Sequence, residues 1–183
     1  MSLIEVVDWS PRWAEQFAEV ARVLTEALVD VPSASVEHVG STSVPGLAAK
    51  PILDIDVIVD RPEVPAAVAA LERVGYVHRG DLGVTGREAF HAPDASPRRH
   101  VYVCESGTTN VRNHLAVREV LRSRDDLRDA YSEVKLALTA DPEMDIDTYL
   151  AGKSEVVQQV LAASGEFSDD ELAAIRRLND ADA

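Results

Sequence analysis

The chain has 183 residues, of which 46% are hydrophobic and 27% charged, the ordinary composition of one folded domain. Its formal net charge of −14 argues against a nucleic-acid-binding groove, although one locally positive site for a small anion stays compatible with it. The apolar runs are too short to span a membrane, and no secretory signal is visible. One cysteine, Cys104, fits a reducing compartment. We therefore expect a cytoplasmic protein without nucleic-acid or membrane partners.

The first element is a predicted helix. Ser10 followed by Pro11 is typical of a helix start, with serine as the N-cap, and Val31-Pro32 ends the helix. One apolar stripe follows at helical spacing and is expected to be core: Trp13, Phe17, Val20, Leu24 and Leu28.

Two strands and a loop come next. Residues 35–39 predict a short strand, and residues 40–51 predict a loop because they combine small hydroxyl residues with glycines and prolines. Residues 52–59 are apolar and β-branched, which predicts the strongest strand of the chain. Residues 63–74 predict an amphipathic helix that Gly75 ends.

The rest of the chain is mostly helical. Residues 80–99 predict a short hairpin or a mobile loop, and residues 100–104 a strand. Ser168 with Glu171 forms a capping-box pattern. The predicted helices are 110–124, 126–140, 147–163 and 168–178.

This order of elements predicts an α+β fold with a mixed β-sheet flanked by helices and a C-terminal helical part. We expect residues 1–165 to form the domain, with residues 166–183 as an acidic C-terminal tail that includes a short helix.

The strand at residues 52–59 carries two aspartates. Because side chains alternate across a strand, Asp54 and Asp56 point to the same face. Adjacent carboxylates repel each other unless a cation lies between them, and Mg²⁺ takes one or two carboxylates plus substrate phosphates. Taken alone, the pattern also fits an edge strand with one solvated face.

The loop before this strand favours the metal-site interpretation over that of a solvated edge strand. Gly40, Ser41, Thr42 and Ser43 follow a strand, where a glycine lets backbone N–H groups approach a phosphate and the hydroxyls add donors. By itself this tetrapeptide is more typical of a plain turn. Together with the two aspartates it predicts a site for a triphosphate and its metal ion.

The stretch EHVGSTSVPGLAAKP, residues 37–51, resembles the signature of the GrpB family, a branch of the DNA polymerase β-type nucleotidyltransferase superfamily. The segments around Gly83 to Arg87, Arg118, Lys135 and Tyr149 to Lys153 are similar to later family positions, so the resemblance covers about residues 4–163. It implies a nucleotidyltransferase fold, with ATP or another NTP and Mg²⁺ or Mn²⁺ as ligands. The acceptor stays undefined.

Two departures from the family pattern concern the strand predicted at residues 100–104 and the residue that follows it. The family's His-x-His reads here His100-Val101-Tyr102, and the third carboxylate usual in the superfamily's active transferases has no evident counterpart, Glu105 being a weak candidate. His100 is equally open to two interpretations, a general base with a pKa near neutrality or a hydrogen-bonded strand residue.

The remaining candidates are basic. Lys50 either neutralises phosphate or caps the loop, and His38 is expected to hold the Gly40-Ser41 turn by a hydrogen bond. Arg87, Arg118 and Lys135 are candidate phosphate or acceptor contacts, although each fits a solvated surface charge when considered alone.

Two functions from different classes remain. In the first, the protein transfers a nucleoside monophosphate, AMP from ATP, to a hydroxyl acceptor. In the second, it is an accessory module that binds a nucleotide or a phosphorylated metabolite without catalysis. The Gly40-Ser41 and Asp54/Asp56 set favours the first, and the missing acid favours the second.

Overall fold

The computed structural model describes residues 5–141 and 144–181. Their contacts divide the chain into two compact units. The sheet unit comprises Pro11–Ser43 and Ile52–His114, and the helical unit comprises residues 5–10, 44–51, 115–141 and 144–181.

The sheet unit contains a five-stranded mixed sheet, as expected. Its strand order is β1-β2-β5-β4-β3, in which β2 and β5 run parallel and the other neighbours run antiparallel. The strands are β1 Ser35–Val39, β2 Leu53–Val59, β3 Val77–His78, β4 Arg87–His91 and β5 Arg99–Glu105. The segment 80–99, predicted as a short hairpin or a mobile loop, contains β4, whose antiparallel partners β3 and β5 lie at or beyond the ends of that segment.

Two helices of the sheet unit pack on these strands. Helix α1, Arg12–Ala27, contacts β1, and helix α2, Val64–Arg73, contacts β5. The apolar stripe of α1 faces the core through Trp13 and Leu24, as its spacing predicts. The predicted N-cap at Ser10 is wrong, because the N-cap position is occupied by Pro11, which makes no side-chain cap hydrogen bond.

Helix α3, Thr109–Ser123, begins in the sheet unit and ends in the helical unit. The helical unit then continues with α4 to α7, and a bridge pairs Val7 with Ala49. These helices are α4 Asp125–Thr139, α5 Ile146–Gly152, α6 Ser154–Ser164 and α7 Asp169–Ala181.

The single helix predicted over residues 147–163 is wrong, because the structure divides it at Lys153 into α5 and α6. The residue before the break is Gly152, and glycine has the weakest helix propensity after proline. A Cβ there would lie 2.6 Å from Leu138 Cδ2 on α4, so the Leu138 side chain would have to shift to admit one.

The tail forms a helix with its own packing. Ser168 and Glu171 form the predicted capping box, with Ser168 N–H donating to Glu171 Oε2 at 2.9 Å and Glu171 N–H to Ser168 Oγ at 3.3 Å. Phe167 and Ile175 are buried in one cluster with Leu161. The boundary at residue 165 stays a prediction. Among the described residues, no helix combines the length and the apolar composition needed to cross a bilayer.

Candidate functional site

Asp54 and Asp56 share one face of β2, as the alternation of side chains predicts. The other face carries Leu53, Ile55 and Val57, which are almost fully buried. The side chain of Asp54 is 36% exposed, whereas that of Asp56 is fully buried. A buried carboxylate is costly unless hydrogen bonds or an opposite charge stabilise it, so its partners matter most.

Each aspartate is paired with a different histidine. His100 lies opposite Asp54 in the parallel ladder, with Nδ1 at 2.9 Å from Asp54 Oδ1. His114, on α3, places its Nδ1 at 2.7 Å from Asp56 Oδ2. Both distances are those of charge-assisted hydrogen bonds, so each carboxylate has one oxygen occupied by an imidazole.

The protonation of His114 follows from two opposing influences. Burial disfavours the imidazolium and by itself lowers the pKa of His114. The hydrogen bond to Asp56 and the charges of Asp56 and Asp54 act in the opposite direction and prevail, so the pKa of His114 is raised. The charged form of His114 is thereby favoured beside the buried carboxylate.

A pocket of about 210 Å³ opens beside this charged pair. Two atoms of its lining residues, Asp56 Oδ1 and Arg87 Nε, are buried and lack a hydrogen-bond partner within the described part of the chain. Because buried polar atoms nearly always have partners, these two atoms, of opposite charge, indicate a place for a ligand. The lining residues are Val39, Gly40, Asp54, Asp56, Arg87, Tyr102 and His114.

Tyr102 lies opposite Asp56 on β5, and the guanidinium carbon of Arg87 is 4.5 Å from the centre of its ring. Burial raises the pKa of Tyr102, so the phenol is neutral at physiological pH. This position on the shared face thus offers a neutral hydroxyl where a third carboxylate would complete a metal site.

The prediction that Glu105 supplies the third carboxylate is wrong. Glu105 pairs with Val59 at the far end of β2 and therefore points to the face opposite the aspartates. Its carboxylate lies 3.9 Å from Nε of Arg61.

Cys104 shares the face of β5 that carries His100 and Tyr102. Its side chain is fully buried, and burial, followed by the charge of Asp56, raises the pKa of the thiol. The thiol is therefore neutral and unreactive in the folded protein.

The turn after β1 brings the backbone close to Asp54. Gly40 has a φ of +69°, and a Cβ at this position would lie 2.3 Å from Asp54 Oδ2. Glycine is thus required both for the left-handed conformation and for the close approach. Ser41, the first residue of a short 3-10 turn that ends at Ser43, is partly exposed.

The other hydroxyls of this turn are used within the turn itself. Thr42 Oγ1 lies 3.0 Å from His38 Nε2, and Ser43 Oγ donates to the carbonyl of Gly40 at 2.6 Å. The prediction that His38 holds the turn is confirmed, and its ring also stacks on Phe17 with 4.5 Å between centroids. Thr42 and Ser43 shape the turn, and their predicted phosphate contacts stay predictions.

Two further candidates, Lys50 and Lys135, belong to the helical unit. Lys50 Nζ lies 4.4 Å from the centre of the Tyr149 ring, and Lys153 Nζ lies 4.5 Å from the same centre. Lys135 is 2% exposed, with Nζ 4.2 Å from the centre of the Tyr131 ring. Burial, followed by the charge of Lys153, lowers the pKa of Lys135 to about 7.

Arg118 also lies in the helical unit, where its Nε donates to Glu119 Oε1 at 2.7 Å. The structure therefore brings together Gly40, Asp54, Asp56 and Arg87 at one pocket of the sheet unit, with His100 bonded to Asp54. The predicted phosphate contacts of Lys50, Arg118 and Lys135 stay predictions.

Sequence reasoning overlooked His114. The available signal was its helical spacing, since His114 precedes the candidate Arg118 by four residues on a predicted helix. Its pairing with Asp56 depends on how α3 approaches the sheet, which local sequence does not specify.

The aspartate pair fits a divalent cation in part. Within residues 5–141 and 144–181, no group of three or more His, Cys, Asp or Glu side chains is arranged to hold a metal ion. Mg²⁺ commonly needs only one or two carboxylates, with further ligands from phosphates and water. Asp56 Oδ1, buried without a partner, and Asp54 Oδ2, the oxygen that His100 leaves, are donors of the appropriate chemistry.

The family model described as GrpB protein matches residues 3–163. A UPF0157 protein of Streptomyces coelicolor is 40% identical over 166 residues, which cover 88% of this chain and 84% of that protein. A UPF0157 protein of Halalkalibacterium halodurans is 35% identical over 160 residues, covering 86% and 80% of the two chains.

Solved structures with a similar fold include another GrpB protein. The conserved protein GrpB from Enterococcus faecalis matches with a TM-score of 0.74 and 35% identity, covering 88% of this chain and all of the other. A chain of the GLD-2/RNP-8 complex matches with a TM-score of 0.54 and 13% identity, covering 83% of this chain and 60% of the other, which concerns the fold alone. The fold is the expected nucleotidyltransferase-like α+β fold, and the chain belongs to the GrpB family.

Proposed function

We propose that the protein transfers a nucleoside monophosphate, AMP from ATP, to a hydroxyl group of an acceptor, with Mg²⁺ or Mn²⁺ bound by Asp54 and Asp56. The observation that supports this proposal is the pocket beside the two aspartates. Within the residues that the structure describes, Asp56 Oδ1 and Arg87 Nε are buried there without hydrogen-bond partners, so the pocket offers one site for a cation and one for an anion. A nucleoside triphosphate with its metal ion supplies both charges.

The residues of the sheet unit have distinct roles in this proposal. Bound Mg²⁺ would stabilise the negative charge that develops on the phosphates during an in-line displacement. Arg87 would donate to a phosphate oxygen, and the backbone at Gly40 and Ser41 would approach the phosphates closely because Gly40 has no side chain. His114 holds Asp56 through Oδ2 and leaves Oδ1 for the metal.

His100 is the proposed general base. Its Nδ1–H donates to Asp54, so the neutral imidazole presents Nε2 as the proton acceptor. The side chain is 54% exposed, which allows an acceptor hydroxyl to reach it. Replacing His100 by glutamine should slow transfer by about 10²- to 10⁴-fold while nucleotide binding persists.

Three basic residues of the helical unit, Lys50, Lys135 and Arg118, are proposed phosphate contacts. Lys50 and Lys135 each lie over a tyrosine ring, and Arg118 donates a hydrogen bond to Glu119. Replacing Lys135 by methionine should weaken the binding of ATP more than that of adenosine, as measured by calorimetry.

The transfer itself can be tested with ATP labelled at the α-phosphate, Mg²⁺ or Mn²⁺ and a cell extract. The wild-type protein should label an acceptor, and the double variant Asp54→Asn with Asp56→Asn should not. Asp30→Asn, a change at an exposed aspartate after α1, is the matched control and should label normally. Undiminished labelling by the double variant would refute the metal-binding role.

The second candidate function is a nucleotide-binding accessory module. It is favoured by β5, where His100, Tyr102 and Cys104 face the aspartates' side without adding a carboxylate. Such a module should gain thermal stability from ATP with Mg²⁺ and release no pyrophosphate in the presence of any extract. Pyrophosphate release that depends on Asp54 and Asp56 would eliminate it.

A further inference from the structure

A second cavity is lined by His100, the histidine that is hydrogen-bonded to Asp54. It is an open groove of about 510 Å³, which is within the usual range for small-molecule sites. His100 lines this groove while its Nδ1 bonds to Asp54. A molecule in the groove would therefore lie next to the proposed general base.

Hydrogen bonding places the groove at the beginning of β2, the strand that carries Asp54 and Asp56. Leu53 N–H donates to the carbonyl of Arg98 at 3.0 Å, so the chain before β5 lies beside the first residue of β2. His91, at the end of β4, also lines the groove. In the antiparallel register Phe90 pairs with Val101, so His91 comes next to His100 on the same face of the sheet.

The groove is positively charged, although the whole chain carries a net charge of −14. The acidic residue in its lining, Asp94, receives two hydrogen bonds from Arg99, at 2.7 and 2.9 Å. The hydrogen bond from Arg99 lowers the pKa of Asp94, so this ion pair persists at physiological pH. Asp94 therefore leaves the other cations of the groove uncompensated.

Arg98 in the lining supplies positive charge, and Arg79 adds positive charge beside the groove. Arg98 is exposed, and within residues 5–141 and 144–181 its guanidinium has no hydrogen-bond or ion-pair partner. Arg79 contacts the ring nitrogen of His91, a side chain that accepts a hydrogen bond only in its neutral form. Arg98 thus keeps its charge in the groove, and Arg79 keeps its charge beside it, in contact with the lining residue His91.

We propose that this groove binds the acceptor of the transfer reaction, and that the acceptor is a small molecule with a hydroxyl group and an anionic group, either phosphate or carboxylate. Arg98 binds the anionic group, and the hydroxyl group lies at His100. This assignment rests on the proposed function for the hydroxyl transfer, whereas the binding of the anion rests on the groove alone.

The histidine rings provide the test, because the chain has 5 histidines and only His91 and His100 line the groove in the described structure. Ring signals are assigned by nuclear magnetic resonance from single His→Gln variants. Ribose 5-phosphate, gluconate and uncharged ribose are then titrated without nucleotide. Ribose 5-phosphate or gluconate should shift the signals of His91 and His100 and leave that of His38 unchanged, whereas ribose should shift none.

Arg98→Ala should weaken this binding by about tenfold or more, since a charge-assisted hydrogen bond is lost. Arg73→Ala is the matched control, because Arg73 is an exposed arginine at the end of α2 and does not line the groove. Equal binding by the Arg98 and Arg73 variants, equal shifts by ribose, or no shift by either anion would overturn the proposal.

A parallel titration with Mg²⁺ and a non-hydrolysable ATP analogue separates the two proposals. It should shift the signal of His114, which lines the nucleotide pocket. A silent His114 combined with anion-dependent shifts of His91 and His100 would refute the nucleotide site and retain the anion groove. The reverse pattern would refute the groove and retain the nucleotide site.

Discussion

The sheet unit and the helical unit both bury charged groups, but the charges are opposite and their surroundings differ. In the sheet unit, the fully buried carboxylate of Asp56 accepts a hydrogen bond from His114. In the helical unit, the ammonium group of Lys135 lies over the ring of Tyr131. The first group is stabilised by a titratable partner, and the second by an aromatic face.

The two arrangements respond to pH in opposite directions. The raised pKa of His114 means that its contribution to stability is complete below the ordinary histidine pKa and is lost as the pH rises through the raised value. The lowered pKa of Lys135 means that its penalty is largest below about pH 7 and declines at higher pH. A rise in pH therefore weakens the stabilising pair of His114 and Asp56 in the sheet unit and reduces the penalty of burying Lys135 in the helical unit.

The largest expected effect comes from His114→Ala, which leaves the buried carboxylate of Asp56 without its partner. Removing one member of a fully buried pair costs about 3–5 kcal/mol, and the lower end is expected here because the His114 side chain is 31% exposed. Urea unfolding at pH 6 measures the loss, and the double variant with Asp56→Asn should recover part of it. A His114→Ala protein as stable as the wild type would show that the pairing is not what stabilises Asp56.

Lys135→Met tests the helical unit. Above pH 7 the unfolded chain binds more protons than the folded one, because the pKa of Lys135 falls from 10.5 to about 7 on folding. Between pH 6 and pH 9 the wild type should therefore gain about 2–3 kcal/mol of unfolding free energy relative to Lys135→Met. Leu136→Met, an uncharged change at the next, 42% exposed residue, is the control. Parallel pH curves for wild type and Lys135→Met would contradict the lowered pKa.

Gly40→Ala separates backbone strain from crowding at the aspartates. The left-handed conformation costs alanine about 1–2 kcal/mol, and the same cost applies to Gly83→Ala, where φ is +81° and no atom lies within 4 Å of the added Cβ. At Gly40 the added Cβ also displaces Asp54, so its variant should lose about 1–2 kcal/mol more. Thermal unfolding of both variants gives the difference, and identical losses would mean that Asp54 moves aside without cost.

The smallest effect is expected for His100→Ala. Its pair with Asp54 is 54% and 36% exposed, and exposed pairs contribute about 0–1 kcal/mol. Urea unfolding at pH 6 should therefore give nearly the wild-type value. A loss as large as that of His114→Ala would remove the distinction between the two aspartate–histidine pairs.

Local sequence was sufficient for the elements that create the site. The alternation along β2 puts Asp54 and Asp56 on one face, and the position of Gly40 directly after β1 is evident from the turn residues that follow. These features depend on neighbours in the chain, where strand periodicity and turn propensity operate.

The remaining features depend on tertiary contacts. His114 and Asp56 are 58 positions apart in sequence and meet only in the folded chain, and Lys135 acquires its lowered pKa because burial excludes water from it. Helical periodicity also continues through the break at Lys153, so it predicts one helix where Gly152 packs against Leu138 and the chain forms two. Partners distant in sequence decide these outcomes, and a single sequence does not reveal them.

The buried Cys104 can be used to detect transient opening of β5. A thiol reagent can react with this cysteine, which is the single one in the chain, only during moments when β5 separates from its neighbours and the thiol meets solvent. The labelling rate under native conditions therefore counts the openings of the strand that carries His100. Comparing that rate with and without a bound nucleotide would show whether the ligand keeps the central strands closed.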